Sequence, residues 1–457
     1  MGSDFTWREV SAGKYLQSLG HVDCNVFGSL PIHQGERQQW IVYSGTSFET
    51  NLTNNTLLTS LKTAWKHIRY VFPTVACLAD DKNKTYEVPK NEEELEKWVD
   101  ESFVVHMDGS SKEQVPKLRA ERLLILIHYF PHRRELLLQA DHRLVDTHGL
   151  CMFWDRFLTF AAQPPTAPIE FGSEVRNLPP ALDEILKFAA SPGAEDMQLA
   201  QAAVAEMIVP DQIDMPVANM DDPPTDSNYC SIKLSPALTK AVVAACRQRS
   251  VTVTVAFYAA VILATRQSQI EAKGKSGSVF SSFHTYDVRR YFPKDFDARR
   301  YTICNYSPPF LMTNKSMTFD GLMKELKAGY AKLLADPLTA DSLISLECAF
   351  THIVKEIFTT LGGLPKSSTP LVVSSGVFEK YMSRSHGEGE RRIAVSDLFV
   401  NVYILSAQIQ PYLWTYNDQL TIHLGYNEAY YTQAEVRRYG KLIQSILLGE
   451  LGVDVAL

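Results

Sequence analysis

Residues 136–157 read LLLQADHRLVDTHGLCMFWDRF, two apolar stretches interrupted by Asp141, His142, Arg143, Asp146, Thr147 and His148. The first stretch ends a pair of apolar runs, RLLILIHYF (Arg122–Phe130) and RELLLQADH (Arg134–His142), which are joined by Pro131, His132 and Arg133 and predict a strand hairpin. The second, Gly149–Ala162, predicts a helix. The polar residues then occupy a strand-to-helix corner, where a rigid scaffold presents side chains at a cleft. His142 and Asp146 form an HxxxD pair, and no other histidine in the chain has an aspartate four positions on. A lone match to so short a pattern is weak, so its weight depends on what surrounds it.

Outward from this corner the chain divides into three segments. Residues 1–163 form an N-terminal lobe holding the HxxxD corner. Leu58, Leu61, Ala64, Trp65 and Ile68 mark a helix over Leu57–Tyr70, stopped before Pro73, and NEEELEKWVDESF from Asn91 predicts a second helix with acidic residues in its first turn. Residues 164–228 are punctuated by Pro164, Pro165, Pro168, Pro179, Pro180, Pro210, Pro216, Pro223 and Pro224, with one or two short helical pieces between, and predict a long surface crossover. Residues 229–457 form a C-terminal lobe. It has a strand near Cys230, a helix from Pro236, and a buried helix in the second half of VTVTVAFYAAVILATRQ. A central strand in SGSVFSSFHTYDV, an amphipathic helix from Thr318, a strand from Thr369, a strand over Leu420–Asn427 and a closing helix complete it. The pattern predicts α+β architecture: two similar lobes of mixed sheet and helices, without sequence repetition.

The 457 residues are 45% hydrophobic and 21% charged, with a formal charge of -7, which suits a globular chain and argues against a general nucleic-acid binder. Cys24, Cys77, Cys151, Cys230, Cys246, Cys304 and Cys348 are scattered and never form CxxC, so neither a disulfide framework nor a zinc site is expected. His128 and His132 have ligand-like spacing, but Pro131 breaks any helix between them and no cysteine or carboxylate cluster accompanies them. No cationic leader and no bilayer-length apolar run is present, which predicts a soluble, cytoplasmic protein; sequons such as those at Asn51, Asn83 and Asn314 are then chance matches.

HRLVDTHG, the DVRRYFP beginning at Asp287, the CNY beginning at Cys304 and the terminal YNEAYY resemble, in that order, the BAHD and condensation-domain acyltransferases of the chloramphenicol-acetyltransferase fold. The N-terminal WREVSAGKYLQSLG is most similar to fungal O-acetyltransferases of secondary metabolism, such as the trichothecene acetyltransferases. The resemblance spans nearly the whole chain. It departs from HHxxxDG at Asp141 and Thr147, and the plant-type DFGWG is replaced by YLWTYNDQL.

The resemblance implies two lobes with a channel at their interface, a monomer, and direct acyl transfer from acetyl-CoA or another acyl-CoA to a hydroxyl of a terpenoid, alkaloid or polyketide. No bound cofactor is needed. In that reading His142 is the general base, since an imidazole is the side chain whose ordinary pKa suits proton transfer near neutrality. Asp146 turns away from substrate and pairs with Arg289, and Ser374 and Ser375 are candidates for lining the channel and holding the oxyanion. His148 is given no role. The alternatives are a condensation-type enzyme using a carrier-protein thioester, and a transferase scaffold turned to other chemistry or to small-molecule binding, which Asp141 and Thr147 keep open.

Overall fold

A computed structural model describes residues 5–23, 33–34, 37–80, 82–114, 124–187, 193–207, 211–335, 349, 351, 353 and 366–454. Strand β1 (Ile41–Thr50) leads into helix α1 (Asn54–Val71), whose first turn is capped by Thr53 and whose buried stripe is Leu57, Leu61, Ala64, Trp65 and Ile68. Helix α2 (Glu92–Ser102) starts at the Asn91 cap with Glu92, Glu93 and Glu94 in its first turn, where the helix dipole favours them. Strand β2 (Phe103–Val105) follows, then the hairpin β3 (Leu126–Phe130) and β4 (Glu135–Asp141), and helix α3 (Thr147–Ala162). Arg122 and Leu123, predicted to open the first strand of that hairpin, lie outside the described residues.

The crossover is more helical than its prolines suggest, with a 3-10 turn (Ser173–Asn177), a short helix (Leu182–Leu186) and the 14-residue α4 (Ala194–Met207). Beyond it come β5 (Ser227–Lys233), α5 (Pro236–Gln248), α6 (Val253–Lys273), β6 (Phe280–Thr285), β7 (Pro309–Asn314) and α7 (Phe319–Ala335). The chain finishes through β8 (Val373–Val377), β9 (Ile393–Val402), β10 (Gln410–Tyr416), β11 (Gln419–Asn427) and α8 (Gln433–Leu451). Helix α6 includes the β-branched residues Val253, Thr254 and Val255, because Thr252 caps it and burial outweighs their strand preference.

One sheet runs in the order Ser385–His386, β9, β1, β4, β3, β2, antiparallel except between β3 and β2. A second runs β5, β11, β10, β8, antiparallel except between β10 and β8. Helices α1 and α3 cover one face of the first sheet, where the buried Trp154 indole donates to Ser44 Oγ at 2.8 Å and Trp65 stacks on Trp98 at 5.0 Å. Helices α6 and α8 pack on the second sheet and on each other. Contacts from β9 join the sheets: Phe399 stacks on Tyr229 at 5.4 Å, and Asn401 Oδ1 lies 3.3 Å from His423 Nε2.

Two expectations give way here. The SGSVFSSFHTYDV strand, β6, is not central; it pairs with β7 in a two-stranded ribbon, and its buried residues pack against α6 and α7, with His284 stacked on Tyr258 and bonded to Tyr330. Nor is everything after residue 229 confined to the second lobe, since β9 and Ser385–His386 return to the open edge of β1 and complete the first sheet. Cys77, Cys151, Cys230, Cys246 and Cys304 are buried and unbridged, while Cys24 and Cys348 lie outside the described residues. No single described helix is long and apolar enough to cross a membrane.

Candidate active site

Strand β4 ends at Asp141, and the chain turns through His142–Val145 before α3 begins at Thr147, two residues earlier than its apolar run suggests. The reason is Asp146, which caps the helix by accepting from Gly149 N at 2.8 Å through Oδ1. Its other oxygen, Oδ2, accepts from Arg289 Nη1 at 2.8 Å, from Tyr306 N at 2.8 Å and from Ser307 Oγ at 3.2 Å. The Asp146 N–H donates to Cys304 O at 3.1 Å, so both ends of the residue grip the Cys304–Ser307 segment. Burial alone would raise this carboxyl's pKa. The Arg289 charge, the hydrogen bonds and the neighbouring His148 reverse that and hold it below the ordinary carboxylate value.

Arg289 is itself buried and divides its Nη1 between Asp146 and Asp287, the latter at 3.0 Å, with the Tyr306 ring beneath its guanidinium. His142 is fixed through its backbone, whose N–H donates to Trp40 O at 3.2 Å. Its imidazole lies deep between elements yet keeps part of its surface accessible, and the Trp40 indole meets it edge-on at 6.2 Å and 77°. Burial lowers its pKa from the ordinary histidine value, opposed by backbone carbonyls of His142 and Val145 and by the charges of Asp146 and Asp141. The ring is therefore neutral near pH 7.

Asp141 stands apart from this chemistry. Its carboxylate accepts from Arg143 Nε at 3.0 Å, Arg143 Nη2 at 2.6 Å and Gln38 Nε2 at 3.1 Å, while Arg143 Nη1 reaches Asp80 O at 2.8 Å. The departure from HHxxxDG at this position thus places a bidentate ion pair behind the corner. Thr147 becomes the first helical residue of α3.

Helix α3 reaches the second sheet through His148. Its Nε2 lies 3.2 Å from Ser375 O, its Nδ1 3.7 Å from Asp287 Oδ2, and its ring packs on Tyr381 at 4.6 Å. Ser375 therefore meets the corner through its carbonyl, and the Ser374 hydroxyl is engaged with Thr254 Oγ1 at 2.8 Å. Strand β8 bulges at these serines, before Gly376 at φ 73°. His128 is far from ligand-like: it is buried, its Nδ1 lies 3.0 Å from His106 Nε2, and His132 sits exposed in the hairpin turn. Among the described residues no group of His, Cys, Asp and Glu is placed to hold a metal ion. Trp40 and Ser307 had no mark in the sequence, whereas Asp287 and Tyr306 lie in the DVRRYFP and CNY motifs without a role read from them. Tyr306 acts through its backbone N–H to Asp146 and its ring beneath Arg289.

No family model matches the chain. Two proteins of Monascus ruber, the O-acetyltransferase pigM and the acetyltransferase pigO, are each 24% identical to it over 98% of its length, covering 88% and 98% of their own. The trichothecene 15-O-acetyltransferase TRI3 of Fusarium sporotrichioides superposes with a TM-score of 0.80 at 17% identity, over 98% of both chains. The chain is an acyltransferase with the two-lobed, condensation-domain-like fold. Condensation domains themselves share this fold more distantly: the first one of the calcium-dependent antibiotic synthetase gives a TM-score of 0.60 at 14% identity, over 92% of each chain. In this acyltransferase the HxxxD corner stands at the end of β4, between the first sheet and the loops that carry Arg289 and Tyr306.

Proposed function

We propose that this acyltransferase moves an acetyl group from acetyl-CoA to a hydroxyl of a small secondary metabolite, with His142 as general base. One observation carries the reading. At the corner, the Asp146 carboxylate is occupied by Gly149, Arg289, Tyr306 and Ser307, which supports the neutral, partly accessible His142 imidazole as the group that takes a proton. A covalent route finds no support in the two thiols beside the corner: burial pushes Cys304 up to about 12 and raises Cys151 as well, so neither becomes a thiolate near neutral pH.

In the proposed step His142 accepts the hydroxyl proton as the oxygen attacks the thioester carbonyl. The tetrahedral intermediate collapses by breaking the C–S bond, the coenzyme A thiolate leaves, and the imidazolium returns the proton to it. An ester and free coenzyme A result. Acetyl-CoA and not a carrier-protein thioester is favoured because pigM, pigO and TRI3 are named as acetyltransferases and align over 98% of the chain. The bulge at Ser374 and Ser375 and the His148 contact to it are where the second lobe meets α3, which supports reading these serines as channel residues.

The test is product analysis by mass spectrometry, with acetyl-CoA and a panel of hydroxylated terpenoids, alkaloids and polyketides, beside acetyl-loaded carrier protein as a competing donor. His142→Ala is expected to lower kcat/KM by about 10²- to 10⁴-fold without loss of fold. Unchanged turnover in that variant would falsify the base assignment, and transfer from the carrier alone would replace the donor.

A further inference from the structure

Trp40 adopts a left-handed backbone, φ 65°, at a place where it touches the proposed base. Trp40 lies in the turn just before β1, and the other described non-glycine residues with positive φ also sit in connections: Arg134 in the β3–β4 hairpin, Lys187 after the short helix, Ser250 between α5 and α6, and Asn417 with Asp418 in the β10–β11 turn. Asparagine and aspartate tolerate that conformation because their short polar side chains bond locally, whereas a bulky aromatic residue gains nothing from it. Trp40 is nonetheless 7% exposed, packed into the first lobe's core.

What the conformation achieves is visible in its backbone bonds. Trp40 N donates to Tyr403 O at 2.8 Å, while Trp40 O accepts from His142 N at 3.2 Å. Tyr403 N in turn donates to Ile41 O at 2.7 Å. The left-handed residue thus ties the strand returning from the end of the chain to the HxxxD corner, just before β1 begins. Glycine would serve the backbone equally well and without strain. A tryptophan kept in a costly conformation points to use of its side chain, and that side chain meets the His142 ring edge-on at 6.2 Å.

We infer that Trp40 is a positioning residue for His142: its carbonyl sets the height of the corner, and its indole closes the back of the imidazole against water and fixes the ring's orientation. This rests on His142 being the base. The charges that face His142 are Asp141 and Asp146, and both are already paired, with Arg143 and Arg289 respectively, so neither needs to respond to a change at Trp40. Removal of the indole lets water reach the ring, which relieves the burial that lowers its basicity.

The experiment compares Trp40→Phe and Trp40→Asn with the wild type and His142→Ala, all as full chains. In histidine-labelled protein the His142 resonance, assigned by its absence from His142→Ala, is titrated by NMR without any ligand. It is expected to titrate below the ordinary histidine range in wild type and Trp40→Phe, and to move up toward that range in Trp40→Asn, since asparagine accepts the backbone conformation. With acetyl-CoA and the alcohol acetylated in the product screen, Trp40→Asn should lose about 10- to 100-fold in kcat with KM changed by less than about threefold, and Trp40→Phe should recover most of it. If Trp40→Asn is insoluble, Trp40→Gly, which the left-handed backbone also accepts, takes its place with the same expected readouts. A wild-type titration and kcat in the non-aromatic variant, or an equal loss in Trp40→Phe, overturns the inference. Normal turnover in His142→Ala overturns the base assignment instead, and the ligand-free titration still reads the Trp40 contact separately.

Discussion

Asp146 does three things with one carboxylate: it caps α3, pairs with a buried arginine and anchors the Cys304–Ser307 loop by a backbone and a hydroxyl bond. Removing it leaves Arg289 buried with Asp287 as its remaining carboxylate partner and leaves the Tyr306 N–H without this acceptor. Breaking a buried pair by deleting one partner typically costs about 3 to 5 kcal/mol, most of it from the charge left behind. Asp146→Ala is therefore expected to lose about that much in denaturant unfolding and to fall in soluble yield as well as activity; an unaltered melting temperature would refute the structural part of its role. His142, Asp146 and Arg289 could be singled out because their residue types and spacing are unusual and stand in a familiar order. Trp40 could not, because a left-handed conformation leaves no trace in the identity of a tryptophan, and Tyr306, though part of CNY, carried no readable role, because its bond to Asp146 comes from an N–H that every residue but proline possesses.

At the scale of elements, the first sheet depends on β1 pairing with β4 on one side and β9 on the other, with Gly45 opposite both Leu137 and Phe399. A Cβ at Gly45 would fall against the Phe399 ring and 3.0 Å from Lys112 Cδ. Phe399 is held in turn by Tyr229, and Lys112 by Glu135, so neither moves away freely. Gly45→Ala should then cost about 1 to 3 kcal/mol through overpacking, and Phe399→Leu in the same chain should restore part of it. Urea unfolding of the single and double variants reads this directly, and additive losses would rule the proposed clash out. The hairpin and the capped helices were legible because each is specified locally by periodicity and turn residues. The pairing of β9 with β1 was not, since it joins segments hundreds of residues apart and a ten-residue apolar strand carries no address for its partner. The ribbon β6–β7 misled for a related reason: burial under helices α6 and α7 and burial inside a sheet give the same apolar run.

Across the whole molecule, both lobes and the seam between them bury histidines in neutral form. His423 lies between the sheets with Ser231 Oγ at 2.8 Å from its Nδ1 and Asn401 beyond its Nε2; His284 is stacked on Tyr258 and bonded to Tyr330 Oη at 2.9 Å in the second lobe; His128 is buried in the first. Burial holds His423 and His284 down to about 3, and burial with the neighbouring His106 holds His128 down to about 4. In the unfolded chain each titrates near 6.5, so the unfolded state binds more protons below that pH and stability falls as pH drops through it. At pH 5 each contributes a loss of about 2 kcal/mol relative to pH 8. Asp146 acts in the same sense but in a lower window, because its lowered carboxyl stabilises the fold above the ordinary aspartate value and gives that up only as pH falls below it. The two windows separate cleanly. Unfolding by urea at pH 8, 6.5 and 5 is expected to show most of the loss between the last two, before carboxylates protonate, and His423→Gln, which stays neutral at every pH, should remove about 2 kcal/mol of it. A slope unchanged in His423→Gln would mean that this histidine, despite its place between the sheets, exchanges protons in the native state and that the lobes part there.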